Sequence, residues 1–137
     1  MNRLIATVIV GLLAAPVFAE GDIDAGEKGF KKCKACHTVA AEDGEVFVKG
    51  GKTGPNLYGV AGRQAGSLEG YKYSKSLIAA GEAGLVWDAE NFAEFTKDPK
   101  KFLQAYLDDS GAKSKMTLKL KKGAEDIFAY LASIGPE

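Results

Sequence analysis

The stretch Cys33-Lys34-Ala35-Cys36-His37 constrains this chain more than any other. Two thiols three residues apart, with an imidazole directly after the second, form the attachment signature of a c-type haem. The thiols would add across the two vinyl groups of the haem to give thioethers, and His37 would ligate the iron from one side. The signature uses both cysteines and the only histidine of the 137 residues, so any other use of these side chains has to explain all three at once. A zinc site needs about four nitrogen or sulfur ligands, and two Cys with one His fall short. A redox dithiol has the same cysteine spacing but sits at a strand-to-helix junction of an α/β pattern, for which the sequence offers no strands. A disulfide between Cys33 and Cys36 would leave His37 without a purpose. On these residues alone the dithiol and structural-thiol readings stay open beside covalent haem.

The opening Met1-Asn2-Arg3, the apolar run over 4–15 and the exit Pro16-Val17-Phe18-Ala19 have the layout of a secretory signal peptide, with cleavage expected after Ala19. An uncleaved anchor is the competing reading, but the run is shorter than the ~20 apolar residues that span a bilayer. The remainder, 20–137, has the length of one domain. Across all 137 residues, hydrophobic content of 46% with 26% charged residues is ordinary for a soluble globular protein. Basic and acidic side chains number 18 each, and loss of Arg3 with the signal would leave one net negative charge. Such a balance gives no argument for nucleic acid as a partner.

Charge is unevenly distributed along the chain. Lys28, Lys31, Lys32 and Lys34 lead up to His37 with no acid after Glu27, and Lys113, Lys115, Lys119, Lys121 and Lys122 form a second acid-free block. Acids collect at Glu20, Asp22, Asp24 and Glu27, at Glu42, Asp43 and Glu45, and at Glu82, Asp88, Glu90 and Glu94. Runs of this kind are ordinarily solvated faces; they gain a function if both lysine blocks border one cofactor edge.

The rest of the chain reads as short helices and long loops. Asp24 and Glu27 have capping-box spacing, predicting a helix over 25–34 with Phe30 as its large apolar residue and Gly26 and Gly29 free to admit a neighbouring helix. Residues 38–70 are glycine-rich and read as loops, with a short irregular ribbon around 46–48. In Gly54-Pro55-Asn56-Leu57, a turn, the carbonyl of Pro55 can fix the ring of a ligating histidine. Ser74 can cap a helix over 75–80 that ends at Gly81, and Asp88 one over 89–97. Asp98-Pro99 breaks and restarts the chain for a helix to about 107. Residues 108–120 have no apolar period and read as a loop. Ala124, Ile127, Phe128, Leu131 and Ile134 recur at helical spacing over 123–133 and mark a buried face, which Gly135-Pro136 closes.

Met116, in the lysine-rich loop, is the only methionine after Met1. A lone methionine is commonly a gap-filler of the core, but with His37 on the iron, the opposite face is left to Met116, a lysine or nothing. Thioether sulfur favours reduced iron, and a six-coordinate iron is closed to small molecules. Outer-sphere electron transfer is therefore favoured over a haem peroxidase or gas-binding protein, which would also need distal acid–base groups when the sole histidine is already used.

In this order and spacing, the residues from Cys33 to His37, Gly54-Pro55-Asn56-Leu57 with Arg63, Gly70-Tyr71-Lys72-Tyr73, Trp87, Asp98-Pro99, Lys115-Met116 and the last helix with Tyr130 resemble the class I c-type cytochromes of the bacterial cytochrome c2 type. The resemblance implies an all-α fold in which the N- and C-terminal helices cross and short helices and long loops wrap one covalent haem c. It implies cofactor contacts from Cys33, Cys36, His37, Met116, Pro55, Arg63, Tyr73, Trp87 and Ser114, with His37 and Met116 on the iron. Pro55 would accept a hydrogen bond from His37, and Arg63, Tyr73, Trp87 and Ser114 would lie about the haem propionates. Phe30 and Gly26 would pack against Leu131 and Tyr130. Phe95 departs from the pattern, since many relatives carry a tyrosine whose hydroxyl reaches toward the methionine sulfur. The loops over 38–54 and 108–116 look longer than in the smallest relatives. The implied function is that of a monomeric periplasmic electron carrier, not an enzyme. It would run from a bc1-type complex to a photosynthetic reaction centre or oxidase, docking through a rim that includes Lys32, Lys34, Lys100, Lys113 and Lys115.

Overall fold

The structure, a computed structural model, describes residues 21–136 and, ahead of them, Gly11. The expected signal peptide and its cleavage point after Ala19 lie, Gly11 apart, outside the described residues. Five helices and one small ribbon follow in order: α1 (Ile23–Gly29), β1 (Val39–Ala40), β2 (Val46–Val48), α2 (Lys75–Glu82), α3 (Ala89–Lys97), α4 (Pro99–Tyr106) and α5 (Ala124–Ile134). Among the described residues no helix is long and apolar enough to cross a membrane.

The frame is the crossing of α1 and α5. A β-carbon on Gly26 would overlap the carbonyl of Asp126 and lie 2.8 Å from Cβ of Tyr130, so only glycine lets the two backbones come this close. Phe30, 1% exposed, tilts against Tyr130 with ring centroids 6.1 Å apart. The face of α5 predicted from periodicity is buried at Ala124, Ile127, Phe128 and Leu131. The N-cap of α1 is Asp22 rather than Asp24: its carboxylate accepts from the Ala25 amide at 3.0 Å, while its own amide donates to Asp126 at 2.9 Å. The tie to α5 decides between two acids with similar local claims. The α-helix is also shorter than 25–34 suggests, giving way to a 3₁₀ turn over Phe30–Lys32 that ends at Cys33.

α3 and α4 close the other side of the core. Asp88 and Asn91 form a reciprocal capping box at the start of α3, and Asp98 caps α4 with Pro99 at its first position, as expected. Phe92 packs on Phe128 of α5 at 5.3 Å, Phe95 on Phe102 of α4 at 5.7 Å, and Trp87 edge-on to Phe95 at 5.0 Å. α2 does not stop at Gly81. That glycine lies within the helix, where a side chain would strike the Ala65 carbonyl, and the turn comes at Gly84 with φ 107°. The ribbon near 46–48 has a partner: β1 and β2 pair antiparallel, Val39 with Val48 and Ala40 with Val46, with an irregularity between them.

Candidate functional site

The five residues Cys33 to His37 follow a helical turn, not a strand, which removes the setting of a redox dithiol. Amides of Cys36 and His37 fold back on the Cys33 carbonyl at 3.2 and 3.0 Å, making a tight turn that fixes both thiols on one short segment. The thiols are free, Cys33 half-buried and Cys36 exposed. Burial pushes the Cys33 thiol up, with the neighbouring Lys32 charge opposing it.

A glycine-rich strand of loop wraps the back of this turn. The amide of Gly51 donates to the Lys34 carbonyl at 2.9 Å and that of Gly54 to the Cys36 carbonyl at 2.7 Å. A β-carbon at Gly50 would overlap the His37 carbonyl and one at Gly51 the Ala35 carbonyl. One at Gly54 would run into the His37 ring, 2.6 Å from Nδ1 and 2.8 Å from Nε2. Gly50, Gly51 and Gly54 thus build a close-fitting bed under residues 35–37, and of the three Gly54 alone meets the imidazole. Of the three, sequence reasoning picked out Gly54 alone, as part of a turn. A Gly-Gly pair shortly after the signature was the signal of close backbone approach.

His37 Nδ1 lies 2.8 Å from the carbonyl oxygen of Pro55. A carbonyl can only accept, so Nδ1 carries the proton and the lone pair of the neutral ring is on Nε2. Burial holds the His37 pKa below its usual value, with the Pro55 carbonyl acting the other way, so the ring is kept neutral and able to ligate. The Pro55 turn is itself braced. Asn56 Oδ1 accepts from the amides of Ala40 at 3.1 Å and Tyr58 at 3.0 Å, and its Nδ2 donates to the Ala40 carbonyl at 2.7 Å. Thr38 donates to the Val48 carbonyl and accepts from Gly50, joining ribbon to glycine loop. Neither Asn56 nor Thr38 was singled out for this bracing.

Arg63 and Tyr73 lie near one another. Arg63 donates to the carbonyls of Tyr58 at 3.0 Å and Asn56 at 3.1 Å, pinning the loop that carries Pro55. Burial lowers the Arg63 pKa, with Tyr73 opposing; burial raises that of Tyr73, with Arg63 opposing. The Trp87 amide donates to the Arg63 carbonyl at 3.0 Å. Ser114 stands elsewhere in the hydrogen-bond pattern: its hydroxyl donates to the Met116 carbonyl at 2.9 Å. Met116 has more core around it than the lysine-rich loop suggests, being half-buried and packed against the apolar cluster with Leu57, Leu77 and Phe102. Phe95 is buried in that cluster against Trp87 and Phe102. Lys32, Lys34, Lys100, Lys113 and Lys115 are all exposed.

These donors suit a haem: two unpaired thiols at signature spacing, an imidazole whose Nε2 makes no hydrogen bond among the described residues and whose ring packs on Gly54, and a half-buried thioether against apolar side chains.

No family model matches the chain. It is 63% identical over 135 residues to cytochrome c-551 of Roseobacter denitrificans, across 98% of this chain and 96% of that protein. It is 54% identical over 129 residues to cytochrome c2 of Rhodobacter capsulatus, across 94% and 93% of the two. The X-ray structure of ferric cytochrome c-550 from Paracoccus versutus superposes with a TM-score of 0.82 at 50% identity, covering 85% of this chain and 100% of that one. Signature, fold and full-length relatives agree, and the chain belongs to the class I c-type cytochromes of the cytochrome c2 type, electron-transfer proteins that carry one covalent haem c.

Proposed function

We propose that residues 20–137, freed of a signal peptide cut after Ala19, form a single-domain monomeric periplasmic carrier that moves electrons from a bc1-type complex to a photosynthetic reaction centre or terminal oxidase. Haem c supplies iron that exchanges one electron at a time between its ferrous and ferric states. Cys33 and Cys36 anchor it by thioether bonds, and His37 offers Nε2 to the metal. The observation that carries this reading is the 2.8 Å contact from Nδ1 of His37 to the Pro55 carbonyl, which fixes the tautomer and leaves the lone pair on Nε2.

Met116 would offer its thioether sulfur as the second protein ligand to the iron, which would favour the reduced state. Arg63 with its neighbour Tyr73, Trp87, whose amide binds the Arg63 carbonyl, and Ser114 near Met116 would serve the propionate end. The exposed lysines 32, 34, 100, 113 and 115 rim the cofactor edge and steer it toward an acidic membrane partner. The test is the ferric absorption spectrum: a weak long-wavelength band of thioether-ligated iron in the wild-type protein, lost in Met116→Leu, with haem still bound to the denatured chain. A wild-type ferric protein without that band overturns Met116 as the ligand.

A further inference from the structure

Each of the three residues before Met116 is tied down by a different group. The amide of Lys113 donates to Oγ of Ser76 at 3.0 Å, the hydroxyl of Ser114 donates to the Met116 carbonyl at 2.9 Å, and the ammonium of Lys115 donates to the Lys72 carbonyl. Two of these ties end on one stretch, residues 72–76, which enters α2. That stretch is itself held in place. Tyr71 donates to the Thr53 carbonyl at 2.7 Å, beside the glycine bed of His37, and Ser74 caps α2 by accepting from the Leu77 amide at 3.1 Å. The rest of α2 is seated through Gly81 against Ala65, where a side chain would not fit. The only long-range backbone anchor on the far side of Met116 within the described loop is the Leu120 amide on the Thr96 carbonyl, at 2.8 Å.

We propose that Ser76 is a positioning residue for the sixth ligand, its hydroxyl latching the methionine loop to α2 through the Lys113 amide. The inference rests on the reading that Met116 ligates the iron. Ser76 touches neither metal nor macrocycle in this role; it acts through the loop. Without its hydroxyl the Lys113 amide loses its partner, the loop swings open more often, and a competing ligand finds the sixth position vacant more of the time. Its apparent affinity scales with that open fraction. A hydrogen bond of ordinary net strength makes the open form about five-fold more populated when lost.

Imidazole, added to the ferric holoprotein and followed by loss of the thioether band, reads the open fraction directly. Ser76→Ala is expected to bind imidazole about five-fold more tightly than wild type, and Ser76→Thr, which keeps the hydroxyl, to return to the wild-type midpoint. Ser74→Ala removes the cap of the same helix but no contact with residue 113. It is expected to melt earlier yet shift the imidazole midpoint much less than Ser76→Ala does. Equal midpoints for Ser76→Ala and wild type, both showing the band, overturn the latch alone. A shift in Ser74→Ala as large as that in Ser76→Ala also overturns it, by assigning the effect to helix stability. A wild-type protein without the band overturns the Met116 reading, and the latch with it.

Discussion

Replacing Gly54 by alanine should raise the reduction potential, and the structure sets the size of the change. The new β-carbon would stand 2.6 Å from Nδ1 of His37, whereas comfortable contact between such atoms is about 3.5–4 Å, so ring and loop must separate by roughly 1 Å. The bond from Nδ1 to the Pro55 carbonyl, now 2.8 Å, belongs to the adjacent residue and is stretched past hydrogen-bonding range whichever side moves. A bond of this kind is worth about 1 kcal/mol net. It pushes electron density onto Nε2 and so favours oxidised iron. Its loss favours reduced iron by at most that amount, an upward shift of up to about 40 mV for a one-electron couple. Equilibrium redox titration measures it. Gly51→Ala is the internal comparison: its β-carbon meets the Ala35 carbonyl, not the ring, so stability should fall with little change in potential. A Gly54→Ala protein with a potential equal to or below that of wild type would refute the reasoning.

Gly26→Ala should be destabilising despite alanine's better helix propensity, because the added carbon meets a backbone carbonyl that cannot rotate away. Overpacking of about 1–3 kcal/mol outweighs a propensity gain of at most about 1, and a melting temperature lower by roughly 4–8 °C is expected; an unchanged or higher value contradicts the crossing described. Asp98 is held below its usual pKa of 3.8 first by the Lys101 amide and then by the Lys119 ammonium, 3.4 Å away. A depressed carboxylate stabilises the fold at pH values above 3.8 and loses that effect as the pH falls below it. The stability gap between wild type and Asp98→Asn, measured by denaturant titration at several pH values, should therefore close on acidification, and a gap that widens is the wrong sign. Electron transfer to a membrane acceptor should slow steeply with added salt, since lysine steering is screened over roughly 8 Å at ~0.15 M ionic strength; a flat salt profile in stopped-flow traces counts against the lysine rim.

Features set by neighbours in sequence were legible in advance. Asp88, Ser74 and Asp98-Pro99 cap their helices through amides three residues on, and α5 announces its buried face by its own period. What was misplaced depends on distant partners. Asp22 prevails over Asp24 because Asp126, 104 residues away, takes its amide. Gly81 looks like a stop signal until Ala65 is seen packed against it. The site divides in the same way. The haem signature and its Pro55 partner could be read from local sequence and family resemblance, whereas the glycine bed, the bracing by Asn56 and the Ser76 contact exist only once loops far apart in sequence are brought together.

The meeting of Gly26 with α5 also governs how freely the chain between them can change length. Once α1 and α5 are joined, nearly all the intervening sequence belongs to one closed circuit, and the entropy of closing such a circuit rises only with the logarithm of its contour. Doubling a flexible segment inside it costs only about 0.6 kcal/mol. The turn at 41–45, which begins only after Ala40 has made its contacts to Asn56, is thus a place where residues can be added or removed at small thermodynamic cost. The glycine bed at 50–54 and the three tied residues before Met116 have no such latitude, because there length itself sets the register of the ligands.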